Sequence, residues 1–236
     1  SSASSMAAMA LCITDWEKQI NPKMTEERFK TKASFLARLG SGSASRSIYG
    51  PIASWGKTSH IEKSSDKYAI PFTQKVHKIF HDFCNTIILI DDNKKEISST
   101  EGHRLMNDHP FAQKRFDQAN QNFFEIKNSF ETGDIEKFIE IVESEALTLH
   151  GLMMTSSPPY KLFKPETIEI IELIKNYRMS SKSTVCFTLD AGPNIHLLYP
   201  KDSKRDILDF IENELIKIYP NLNFIHDQVG NGPKKI

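Results

Sequence analysis

The sequence predicts an α+β fold with helices packed on one face of an antiparallel sheet, and three patterns lead to it. From about Cys84 onward, apolar periodicity reads as strand, helices, strand, strand, helix, strand, the split βαβ order of ferredoxin-like folds. Residues 187–194, FTLDAGPN, join two apolar runs through a turn containing Gly and Pro, which is a β-hairpin signal. Two helically spaced apolar segments between Pro110 and Met154 are broken by Thr132-Gly133-Asp134 and read as a helical hairpin.

Size and composition narrow the class. The chain has 236 residues, enough for one large or two modest domains. Lys plus Arg and Asp plus Glu both number 30. A balanced charge gives no general attraction to nucleic acid or to an anionic membrane, so any anion site must be local. Cys12, Cys84 and Cys186 are far apart and each lies among apolar residues. They are expected to be buried free thiols in a reducing compartment. No apolar run approaches transmembrane length, and the apolar start follows no basic residue, a poor signal peptide. The expected setting is the cytoplasm.

Each element has its local reason. Residues 1–20 open with SSASS and continue MAAMAL. Small and hydroxyl residues at a helix start leave backbone N–H groups open to an anion; they equally suit a helix packed tightly on a neighbour. Thr25, Glu26 and Glu27 start a second helix, with Phe29, Ala33, Leu36 and Leu39 as its apolar face up to Gly40. Residues 40–47, GSGSASRS, have the composition of a linker, yet a helix runs into them and Arg46 and Ile48-Tyr49-Gly50 follow. Glycines allow close backbone approach, serines donate, and one Arg grips a carboxylate or phosphate bidentately, so an anion-binding loop is the better reading.

Runs 49–55 and 68–72 are candidate strands around an exposed loop at 57–67. His77 and His81 stand four apart, but without a third ligand they read as a surface helix end rather than a zinc site. Run 86–90 is a buried strand ending in a solvated turn. The hydroxyls of 98–100 cap a helix or face a ligand. Leu152-Met153-Met154 belongs to the core, and Pro158-Pro159 stiffens a loop. Ile168, Ile171 and Ile174 mark a helix; Ile207, Ile211, Leu215 and Ile218 mark the last one. A short strand at 222–225 and the tail VGNGP complete the chain. Asp190 stands at the mouth of the hairpin turn. A rigid turn can hold a carboxylate against a substrate, and Asp is also a common turn residue with no chemistry.

Taken in order, SSAS opening a helix, GSGSASRS with IYG, and FTLDAGPN resemble the mevalonate diphosphate decarboxylase family of the GHMP kinase superfamily. Trp55, the run KKEISST at 94–100, LHGLM at 149–153, Pro158-Pro159-Tyr160 and the tail VGNGP add to the likeness. The resemblance implies a GHMP kinase-type two-lobed fold. Residues 1–75 would be the remaining part of a ribosomal-protein-S5-domain-2-like N-terminal lobe, and residues 76–236 a ferredoxin-like C-terminal lobe. It implies an ATP-dependent carboxy-lyase acting on mevalonate 5-diphosphate, with ATP as co-substrate and Mg2+, as a homodimer with neither nucleic acid nor membrane as partner.

By the same resemblance, Asp190 is the catalytic carboxylate and Arg46 holds the substrate carboxylate. Ser41 and Ser43 bind the substrate's phosphates, and Ser99 touches its diphosphate. Ser1, Ser2 and Ser4 belong to the loop around the ATP phosphates. No metal ligand is assigned. Ser45 replaces a frequent Cys, and Thr100 stands where some bacterial members have Arg. The family's chain has a long part before SSAS, so a clipped or split polypeptide is expected. Three alternatives remain: a mevalonate-type kinase, a decarboxylase of the monophosphate, and a non-catalytic binding module. Asp190 within DAGPN favours decarboxylation over simple phosphorylation, and the intact acid, serines and arginine disfavour the binding module.

Overall fold

The computed structural model describes residues 2–91, 104–106 and 108–235. Main-chain packing divides the molecule into Ser1–Gln74 with Gly230–Ile236, and Lys75–Val229.

Alanine sets the helix spacing in the first unit. Helix α1 (Ser2–Ile20) packs on α2 (Glu26–Gly40), and a 3-10 helix (Gly42–Ile48) follows. Thr25 caps α2, its hydroxyl accepting the Arg28 N–H at 3.2 Å, and Glu26 and Glu27 lie in the first turn where the helix dipole favours them. Ala7, Ala10, Ala33, Ala37 and Ala44 form one core with Ile48. A Cβ on Gly40 would come within 2.2 Å of Met6 Sδ. Tight packing is thus realised at Ala7 and Ala10. The close approach also corrects the expected apolar face of α2. Its buried positions are Ala33, Ser34 and Ala37, with Leu36 half-buried against the same core, whereas Leu39 is 63% exposed, because the closest approach of the helices is filled by short side chains. Met9, Ile13, Trp16 and Ile20 point outward from α1. Cys12 lies exposed beside them, contrary to the expected buried thiol, because the apolar neighbours that suggested burial face away from α2. Strands β1 (Ala53–Ser54) and β2 (Ile70–Pro71) form a short antiparallel pair.

The second unit is built on four antiparallel strands in the order β4-β5-β3-β6. These are β3 (Cys84–Leu89), β4 (Cys186–Leu189), β5 (Ile195–Tyr199) and β6 (Asn223–Gln228). Helices α3 (Ala112–Thr132), α4 (Ile135–Met154) and α5 (Pro165–Ser181) separate β3 from β4. The last helix, α6 (Lys204–Phe210), runs on through a π-helical turn (Ile211–Leu215) to Ile218. The order is the one the sequence predicts. Gly133 ends α3 in the left-handed region at φ 83°, and Asp134 starts α4 by accepting the Lys137 N–H at 2.9 Å.

Ile88, Phe187, Leu197 and Tyr199 of the sheet meet Ile170 and Ile174 of α5 and Ile207 and Phe210 of α6 in the main core. Helices on one face were expected. The structure adds apolar cover to the other: paired Cys186 and Leu198 point there and join Phe80, Phe83, Phe130 and Phe138, since strand neighbours alternate between faces. Strand β6, on the edge, is mostly exposed. Leu152 and Met153 are in the core, but Met154, expected there too, is 46% exposed at the end of α4. Among the described residues no helix is long and apolar enough to cross a membrane.

Candidate functional site

The hairpin turn is where the second unit presents its carboxylate. Strand β4 ends at Leu189, which pairs with Ile195, so the connection is the five residues 190–194. Asp190 is exposed at its start. Main-chain and side-chain bonds hold the turn on several sides. The Asp190 carbonyl accepts the Gly192 N–H at 2.8 Å and faces His150 Nε2 at 3.0 Å. Thr167, near the start of α5, donates its hydroxyl to the Pro193 carbonyl at 3.0 Å and accepts the Lys164 N–H at 3.2 Å. The Asn194 amide makes three bonds to the chain leaving β3. Its oxygen accepts the N–H groups of Ile90 and Asp91 at 2.9 and 3.0 Å, and its nitrogen donates to the Asp91 carbonyl at 3.0 Å. Lys164 pairs with Asp91 at 2.5 Å.

An ion pair between a buried carboxylate and a half-buried guanidinium anchors the strand that leads to Asp190. Arg178 of α5 forks onto Glu143 of α4 at 2.5 and 3.0 Å and donates to the Val185 carbonyl at 3.0 Å. Glu143 also accepts the Phe187 N–H at 3.3 Å. Two helices and β4 are thereby tied by charge-assisted bonds.

His150 is nearly sealed, at 1% exposure. Its ring stacks on Phe163 at 4.2 Å with 15° between planes. Burial lowers its pKa, against the opposing hydrogen bond and charge of Asp190. Nδ1 is buried with no hydrogen-bond partner among the described residues.

The first unit presents the arginine and serines. The Gly-Ser stretch forms a 3-10 helix rather than an open loop. Ser34 of α2 donates to the Ser45 carbonyl at 2.9 Å and accepts the Ala69 N–H at 2.8 Å, both buried. Ser45 donates to the Gly42 carbonyl at 2.8 Å. One face of the 3-10 helix, Ala44, Ser45 and Ile48, is therefore fixed inward, and Ser43 and Arg46 are left exposed on the other. The hydroxyls of Ser41 and Ser43 stand 3.4 Å apart. Arg46 is solvent-accessible, yet protein packed around the guanidinium disfavours its charge and lowers its pKa. The accessible surface decides, and with its high ordinary value the group stays protonated. Ser2 opens α1, and Ser4 is exposed in its first turn. Ser1 and Ser99 lie outside the described residues.

The sequence-derived candidates Asp190, Arg46 and Ser43 are exposed and Ser41 is half-buried; the sequence reading gives no role to the residues that hold the hairpin turn, His150, Thr167, Asn194 and the Glu143–Arg178 pair. The stretches LHGLM at 149–153 and DAGPN contain His150 and Asn194, but as parts of a likeness they give neither residue a role. Among the described residues no group of three or more His, Cys, Asp or Glu could hold a metal ion. A cleft of about 490 Å3 on the first unit, lined by Arg28, Lys32, Phe35 and Tyr68 among others, includes none of these site residues.

Two family models cover most of the chain. The mevalonate 5-diphosphate decarboxylase C-terminal domain matches residues 86–236, and the diphosphomevalonate decarboxylase-like N-terminal domain matches residues 1–69. The chain belongs to the mevalonate 5-diphosphate decarboxylase family. A diphosphomevalonate decarboxylase of Ganoderma lucidum is 28% identical over 202 residues, 83% of this chain and 49% of the relative. The crystal structure of mevalonate diphosphate decarboxylase from Staphylococcus aureus matches with a TM-score of 0.78 at 29% identity, covering 98% of this chain and 66% of its own. A solved structure of MDDEF in complex with MVAPP, AMPPCP and magnesium matches with a TM-score of 0.79 at 27% identity, over 98% of this chain and 66% of its own. The chain spans about half the length of the curated relatives it matches. The fold is α+β and is shared with mevalonate diphosphate decarboxylases, of the GHMP kinase type.

Proposed function

We propose that the protein catalyses ATP-dependent decarboxylation of mevalonate 5-diphosphate to isopentenyl diphosphate. The observation that carries this is an exposed Asp190 on a turn braced by His150, Thr167 and Asn194, in a chain of the decarboxylase family. A tertiary hydroxyl is a poor nucleophile, and a carboxylate held in one direction orients it or takes its proton. The terminal phosphoryl group of ATP passes to that oxygen, leaving ADP. The C–O bond then breaks, phosphate departs, and the electrons of the carboxylate C–C bond form the double bond as carbon dioxide leaves.

Arg46 would hold the carboxylate in line for that loss. Ser41, Ser43 and Ser99 would bind the substrate's phosphates, and Ser1, Ser2 and Ser4, with the N–H groups opening α1, the phosphates of ATP. Magnesium fits as an ion carried largely by phosphate oxygens with one or two carboxylates, because the described residues offer no cage of their own. It would neutralise charge on the phosphates. The relative bound to MVAPP, AMPPCP and magnesium supports this ligand set. We place the enzyme in the cytoplasm as a homodimer; a monomer mass in ultracentrifugation at assay concentration, or recovery with membranes, would remove either part.

The test is turnover of the full-length protein with mono- and diphosphorylated mevalonate, following carbon dioxide and ADP together. Asp190→Asn should lower turnover about 10²-fold or more while nucleotide binding persists. Unchanged turnover removes Asp190 from the chemistry. ADP without carbon dioxide makes the protein a kinase, and preference for the monophosphate changes the substrate.

A further inference from the structure

The buried imidazole of His150 has an unusual set of contacts. A carbonyl oxygen can only accept, so the 3.0 Å contact to the Asp190 carbonyl requires the proton on Nε2. Nδ1 is buried with no hydrogen-bond partner among the described residues, so a second proton there would leave an N–H unsatisfied by them in the interior. The ring is therefore neutral and in a single tautomer. A Leu or Met would fill the same space beside Phe163 without stranding a polar atom. What neither can supply is the donor aimed at residue 190.

That donor acts at a sensitive place. The peptide plane before Asp190 is set by the Leu189–Ile195 pair. The plane after it carries the carbonyl that His150 and the Gly192 N–H both address. With both planes fixed, the Cα–Cβ direction of Asp190 is fixed as well, although the residue is exposed. We propose that His150 is a positioning residue, a neutral Nε2–H clamp on the Asp190 main chain that keeps the Asp190 carboxylate aimed for reaction. This rests on the reading of Asp190 as the carboxylate that acts on the substrate hydroxyl.

The experiment uses the full-length protein and three substitutions. His150→Leu keeps the bulk and removes the donor; His150→Gln keeps a donor that reaches the position of Nε2; Asp190→Asn is the control for the underlying reading. A positioning role predicts that His150→Leu lowers kcat about tenfold or more, with KM for both substrates within about twofold, and that His150→Gln restores most of the loss. A 15N spectrum of the wild-type protein at neutral pH should show a protonated Nε2 and a bare Nδ1 for His150, a readout that stands even if His150→Leu fails to fold. An Nδ1–H tautomer or an imidazolium there overturns the proposal. So does wild-type kcat in a folded His150→Leu protein while Asp190→Asn is inactive, or a Gln variant no better than the Leu variant. Wild-type turnover by Asp190→Asn removes the underlying reading, and the proposal with it.

Discussion

Ala7, Ala10, Ala33, Ala37 and Ala44 make the core of the first unit; Phe187, Tyr199, Phe210 and a set of Ile and Leu make that of the second. The first holds its arginine and serines on a 3-10 helix seated directly against two helices, with the Ser34 hydroxyl bridging main chain to main chain. The second holds one acid on a hairpin turn between two core strands, through side chains of α4 and α5 and through Asn194 of the turn itself. Close backbone approach is a stiff support that tolerates no added volume. Large side chains and a half-buried ion pair are a stiff support that tolerates no removal.

The difference can be broken at several points. Phe187 is fully buried, and Phe187→Ala should cost about 4 kcal/mol of unfolding free energy by lost burial and cavity formation, read by denaturant titration. Glu143→Leu leaves the half-buried Arg178 without its carboxylate partner and should cost about 2 kcal/mol, while adding Arg178→Met should recover part of it. A double variant as unstable as the single would mean that the pair's geometry rather than its charge balance supports β4. In the first unit added rather than removed volume is the damaging change: Ala33→Leu should cost about 2 kcal/mol by overpacking, and a neutral result would show that α1 and α2 can part.

The smallest effect is one of pH. His150 has a lowered pKa in the folded chain because burial disfavours its charged form, so the unfolded state takes up its proton first. The stability this group contributes is complete above the ordinary imidazole value of about 6.5 and is lost as pH falls through the lower folded value. Wild type should therefore lose more stability than His150→Gln between neutral and mildly acidic pH, by thermal melts; parallel curves would contradict it.

Much of this was legible from residue patterns. The helical hairpin around Gly133, the strand order of the second unit and the turn that carries Asp190 follow from local periodicity and turn chemistry, which act over a few residues. The supports of that turn do not. His150 lies 40 residues from Asp190, and Asn194 bonds to a segment 104 residues away. No local rule says which helix end arrives beside which loop. Leu39, Cys12 and Met154 failed for a related reason. Each belongs to an apolar run, but the face that becomes buried is decided by the neighbour's shape, and the fully buried positions of α2 beside α1 are alanine and serine.

The thiols give the chain a built-in means of telling its two parts apart. Cys12 is open to solvent, so an alkylating or fluorescent reagent can reach it in the native state. Cys84 and Cys186 are buried, and burial pushes both thiols up, leaving almost no thiolate to react. A label taken up at once therefore marks α1 without disturbing the hairpin. The later appearance of the other two sites under increasing denaturant times the opening of the sheet that carries Asp190.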